Sequence, residues 1–133
     1  MPALDTNVLV RYIVQDDEAQ FASASKLIRK CVADGHTLFV PVTVVLELEW
    51  VLRARFGYPK DDVMAALSTL FSAAEMSLES ERALEVALQL YRSGPADFAD
   101  CVHIALVAQA GALPLWTFEK AAAKVNGAKA IGR

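Results

Sequence analysis

The chain has 133 residues, enough for one compact domain over residues 1–133 with one active site, and too few to make two domains the expectation. It is 55% hydrophobic and 22% charged, which is far from the polar, highly charged profile of a disordered chain. The net charge of −3 and a sequence pI near 5.3 argue against a protein that holds nucleic acid by bulk electrostatics. No run reaches the roughly 20 apolar residues of a bilayer span, and MPALDTNV has neither the basic start nor the long apolar stretch of a secretory signal. A cytoplasmic protein without membrane association is expected. The two cysteines, Cys31 and Cys101, lack CxxC spacing and are expected as free thiols.

In chain order, PALD at residues 2 to 5 reads as a short strand ending in an acid. The following TNVLVRYIV reads as a helix that Thr6 or Asn7 could cap. Asp17 and Glu18 open a second helix to about residue 33, with Phe21, Ala24, Leu27, Ile28 and Cys31 at helical spacing and Asp34-Gly35 as its stop. TLFVP at residues 37 to 41 is a buried strand by its β-branched and aromatic content. Helices follow from about residue 43 to 55, broken by Gly57 and Pro59, and from residue 60 to about 73, opened by Asp61 and Asp62. EMSLES is a short strand before a helix from about residue 80 to 91 that Gly94-Pro95 ends. Residues 97 to 110 are helical, residues 113 to 116 a strand, and residues 119 to 124 a last turn or two of helix. The alternation implies an α/β fold with a mostly parallel sheet and helices on both faces. Ligands of such sheets collect beyond the carboxyl ends of the strands, so acids at those places are the candidate functional residues.

Asp5 stands at the end of the first strand and the mouth of a helix, where it could serve as a cap or as part of a site. In VTVVLELEWVLRAR, Glu49 has Arg53 four residues on, which accounts for it as a solvent-exposed pair. Glu47 shares its helix face with Val44, Trp50, Val51 and Ala54. A carboxylate on that apolar stripe would cost several kcal/mol without a cation or hydrogen bonds. Asp97 and Asp100 lie on one face of a helix whose next residues are almost all apolar. Asp97 sits where a cap belongs, while Asp100 is a turn deeper, with His103 as its one cationic neighbour three or four positions away. For His103, pairing with Asp100 or a satisfied core position is the structural expectation. Glu119, in LPLWTFEK, again follows an apolar strand and precedes a helix. Such carboxylates would repel one another if they converged without a cation. All-oxygen donors with few histidines favour Mg²⁺ or Mn²⁺ over zinc. After Asp100 the chain carries Lys120, Lys124, Lys129 and Arg133 against Glu119 alone, either a solvated tail or a phosphate-facing strip.

Four stretches in order, LDTNVLVRY, VVLELEWVLR, PADFADCVHIALVAQAGA and LWTFEKAA, resemble the conserved blocks of the PIN-domain ribonucleases, specifically the VapC-type toxins of toxin–antitoxin pairs. The resemblance covers nearly the whole chain. It implies a PIN-like fold with a parallel sheet of about five short strands and helices on both sides. It implies a Mg²⁺- or Mn²⁺-dependent endoribonuclease whose first acid falls on Asp5, with Thr6 and Asn7 as polar supports. The second acid falls on Glu47 and the third on Asp100, with Asp97 as an accessory. The fourth falls on Glu119, beside Thr117, where the family usually has Asp. Asp5, Glu47 and Asp100 are then the metal ligands. The metal would make an acidic pocket acceptable to RNA, with Arg11, Lys120 and Lys124 as phosphate contacts. The resemblance further implies a cognate antitoxin that covers the site and a toxin homodimer. The apolar residues Val8, Leu9, Tyr12 and Ile13 offer surface for an interface or ordinary core. A PIN-like module that binds RNA or protein without cutting is the alternative that Glu119 in place of Asp motivates. An aspartyl phosphotransferase is disfavoured by Asn7, where its second acid would stand.

Overall fold

A computed structural model describes residues 1–132, so Arg133 lies outside the described residues. The chain divides into two compact units, Met1–Glu79 and Ser80–Arg133.

The first unit begins with residues 2 to 4 running beside the first strand, β1 (Leu38–Val40). A single parallel bridge, Ala3 to Phe39, joins them, with Leu4 N donating to Phe39 O at 2.9 Å and Phe39 N to Pro2 O at 2.8 Å. The strand expected over residues 2 to 5 is therefore one bridge long. Asp5, rather than Thr6 or Asn7, caps α1 (Thr6–Val14), its carboxylate accepting from Thr6 N at 2.7 Å. Asp17 caps α2 (Glu18–Ala33) by accepting from Gln20 N, and Gly35 just past its end has φ +79, a conformation that costs glycine little. Tyr12 stacks on Phe21 with ring centroids 6.1 Å apart, joining α1 to α2. Leu9 is fully buried and belongs to the core, while Val8, Tyr12 and Ile13 are half-buried.

After β1 come α3 (Val42–Ala54), α4 (Lys60–Ser72) and β2 (Met76–Leu78). β1 and β2 pair in parallel, Leu38 opposite Met76 and Val40 opposite Leu78. Leu38 and Val40, Val45, Leu48 and Leu52 of α3, and Val63 and Leu67 of α4 are wholly buried and form the core of this unit. The Glu79 carboxylate accepts from Val42 N at 2.8 Å, filling an open donor at the start of α3, which Pro41 cannot cap with a side chain.

The second unit contains α5 (Glu81–Ser93), α6 (Phe98–Gln109), β3 (Leu115–Thr117), α7 (Lys120–Ala123) and β4 (Ala128–Ala130). α5 turns Leu84, Ala87, Leu88 and Tyr91 inward at helical spacing and packs on α6, where Tyr91 meets Phe98 edge to face at 5.6 Å. β3 pairs in parallel with β4, Trp116 lying opposite Lys129.

The chain is α/β with short parallel strands, as the alternation implies, but the count of about five strands in one sheet is not met. Among the described residues there are four three-residue strands in two parallel pairs, plus the Ala3 bridge. Strands this short bury few side chains, and the helices carry most of each core. β4 reads AKA, a stretch without apolar alternation, and its strand character comes from pairing with β3.

Gly127 leads into β4 with φ +103, and a methyl group on its Cα would lie 3.1 Å from Ile104 Cγ2 and 3.2 Å from Leu113 Cδ2. Its carbonyl accepts from Leu115 N at 2.9 Å, holding β3 in place. Gly127→Ala is expected to destabilise the protein by about 1–3 kcal/mol. Thermal unfolding measures this, and an unchanged Tm would show that the turn relaxes freely.

Candidate active site

In the first unit the acids of interest meet at Thr6. This threonine is 5% exposed. Its backbone N donates to Asp5 Oδ1 at 2.7 Å and its hydroxyl donates to Glu47 Oε1 at 2.6 Å. One buried residue thus fixes two carboxylates that are 42 positions apart in sequence, one on α1 and one on α3. The second contact is a hydrogen bond to a carboxylate, stronger and shorter than a neutral pair. Asn7 is exposed. It lines a concavity of about 330 Å³ with Val8, Arg11, Gln20, Ser23 and Leu27.

The face assignment on α3 is reversed in the structure. The inward stripe runs through Val45, Leu48, Glu49 and Leu52, so Glu49 is the buried glutamate, 3% exposed, and Glu47 is exposed on the other side together with Trp50. The expected Glu49–Arg53 pair does form, Nε to Oε2 at 2.7 Å, but as a carboxylate brought into the core by the stripe and matched by a half-exposed guanidinium. Glu47 is therefore distinguished by its tie to Thr6 and not by burial on an apolar face.

In the second unit Asp97 caps α6, its Oδ1 accepting from Asp100 N at 2.8 Å. Asp100 is shifted to weaker acidity. Burial is the main cause, followed by the charge of Asp97 and a hydrogen bond with it, with Glu119 adding in the same direction and His103 opposing. His103 is exposed, so it acts on Asp100 as a neighbouring charge and not as a core histidine. The Thr117 hydroxyl accepts from Glu119 N at 2.9 Å, fixing the turn that carries Glu119 between β3 and α7, and the Glu119 carboxylate is not used to cap α7.

The phosphate candidates divide. Arg11 is already engaged, its Nη1 donating to both Asp16 oxygens at 2.9 Å, so a phosphate there would have to displace that pair. Lys120 and Lys124 are exposed.

Among the described residues no group of three or more histidine, cysteine, aspartate or glutamate side chains forms a ready cluster for a metal. The donor chemistry nevertheless fits a hard divalent cation. Each unit presents carboxylates only, and in the second they stand close enough for their repulsion to weaken Asp100 as an acid, a conflict that a bound cation would reverse.

Comparison with known families and proteins gives the class. The PIN domain matches residues 3–128, so the chain belongs to the PIN domain family, and the match spans both compact units. The chain is also similar to a VapC ribonuclease of Aquifex aeolicus (strain VF5), 24% identical over 102 residues that cover 77% of this chain and 75% of the relative. No described helix is long and apolar enough to cross a membrane.

Because Asp100 holds its proton more tightly in the folded chain than at its ordinary value of 3.8, its ionisation costs stability as pH rises through and above that value. The cost is fully present above the folded value and absent well below 3.8. Asp100→Asn in EDTA should therefore raise Tm at neutral pH, and the gain should vanish as pH falls toward 3. A gain that persists at pH 3 would mean that the ionisation of Asp100 is not its source.

Proposed function

We propose that this protein is a metal-dependent endoribonuclease, the toxin of a type II toxin–antitoxin pair, working as one PIN domain. The observation that carries the reading is the PIN match over residues 3–128, a span that contains all four acids, Asp5, Glu47, Asp100 and Glu119. The similarity to a VapC ribonuclease supports the choice of RNA as substrate and of an antitoxin as partner. Homodimerisation and a cytoplasmic location belong to the same proposal.

In this reading Asp5, Glu47 and Asp100 hold Mg²⁺ or Mn²⁺, which when bound activates a water and offsets the charge that builds on the phosphodiester. The residues of the chain do the positioning. Thr6 orients Glu47 through its hydroxyl and Asp5 through its backbone N–H, so neither carboxylate has to be ordered when substrate arrives. Asp97 pins the first turn of α6 and with it the backbone of Asp100. Glu119, held by Thr117 at its backbone, stands where the family's last acid falls and is left to accept a proton from the attacking water. Exposed Lys120 and Lys124 are the proposed phosphate contacts. Arg11 is less suited, since Asp16 already occupies it.

The second reading, a PIN fold that binds without cutting, rests on Glu119 in place of Asp. Cleavage of total RNA and transfer RNA with Mg²⁺, Mn²⁺ or EDTA separates the two. Wild type should cut only with metal, and Asp100→Asn or Glu47→Gln should lower the rate by more than about 100-fold. Glu49→Gln should keep the rate while losing about 1–3 kcal/mol of stability with its ion pair. Wild-type protein that stays inert with either metal would favour the binding module. Equal activity of the Glu47 and Glu49 variants would remove Glu47 from the site.

A further inference from the structure

In the second unit β3 carries Trp116, 59% exposed, and the next turn carries Phe118, 71% exposed. Aromatic rings this open to water are costly to leave uncovered, and the two stand on either side of Thr117, whose hydroxyl fixes the Glu119 backbone. The surroundings are cationic. Lys129 is the parallel register partner of Trp116 on β4, and its ammonium sits 6.0 Å from the indole centroid. Exposed Lys120 and Lys124 follow in sequence, and beyond Asp100 the described residues hold Glu119 as the one acid. Aromatic faces interleaved with lysines match an unpaired nucleic-acid strand, whose bases offer flat rings and whose backbone offers negative charge.

We propose that Trp116 and Phe118 form a stacking platform for unpaired bases of an RNA strand, with Lys129 holding the phosphate beside them. This deepens the nuclease reading by naming a substrate-positioning surface next to Glu119, and selects single-stranded or loop RNA over duplex. Lys129 covers one side of the indole in the free protein, and the remaining exposure leaves room for a base. The platform also meets the objection from net charge, because stacking does not depend on the overall sign of the protein and only a local cationic strip is needed.

The test is the affinity of full-length protein for a short single-stranded oligouridylate in EDTA, as a function of salt, with cleavage of RNA in Mn²⁺ measured separately. Trp116→Ala and Phe118→Ala should each weaken binding about 5- to 150-fold with an unchanged salt slope, while Trp116→Phe keeps most of the affinity. Lys129→Ala should lower the slope of log K against log salt by about 0.7. Both rings are exposed and their removal is not expected to unfold the protein, which unchanged melting curves would establish.

Wild-type affinity in both alanine variants overturns the platform even if the protein cuts RNA. A platform that binds in a protein that never cuts upholds this proposal and sinks the nuclease reading. No RNA binding by wild type overturns the platform outright. Unchanged RNA affinity together with a dimer that falls apart in Trp116→Ala would overturn it in favour of a contact between copies of the chain.

Discussion

The 2.6 Å hydrogen bond from Thr6 to Glu47 is the contact on which the first acidic pair depends. Thr6 is the first residue of α1 and is buried, so its hydroxyl must find a partner or lose free energy. It finds a carboxylate on another helix. The same residue's backbone N–H is satisfied by Asp5, so the start of α1 and the outer side of α3 are held to one another by acids. The bridge between Ala3 and Phe39 leaves only Leu4 and Asp5 before α1 begins at Thr6. A few local bonds in a chain of short strands thus place two of the candidate carboxylates with little of the sheet that would normally do so.

The second unit reaches a comparable result by a different route. Asp97 is used as a cap, and capping brings its carboxylate against the backbone of Asp100, whose ionisation then suffers from burial and from like charge. Capping and acid clustering are here the same geometry. That is why Asp97 can serve a purely structural purpose and still shape the chemistry of its neighbour, and why Asp100 is the acid in this unit whose charged form is visibly penalised.

Much of this was legible in the residues. The helices opened by Asp17 and Asp97 could be read because capping depends on local side-chain chemistry, and the alternation of strand and helix indicated the α/β class. The four acids stand out by their places at strand ends or on otherwise apolar stretches of helix. Three features could not be read locally. β4 has no strand signal in Ala-Lys-Ala and exists through its pairing with β3. The strand before Asp5 shrank to one bridge, since only Ala3 finds a partner in register. The inward side of α3 was misjudged because apolar residues occur almost all round that helix. Which stripe faces the core is decided by the elements packed against it, and a buried carboxylate becomes tolerable once Arg53 reaches it. Glu47 has no basic neighbour at three or four positions, but it is exposed and not buried on an apolar face.

The central claim, as proposed, is that carboxylates of this chain bind a divalent cation. Calorimetric titration of Mn²⁺ into wild type, Glu47→Gln, Asp100→Asn and the double variant tests it most directly. If Glu47 and Asp100 are both ligands, as proposed, each single substitution weakens Mn²⁺ binding about 10- to 100-fold. A substitution that leaves Mn²⁺ affinity unchanged would contradict it.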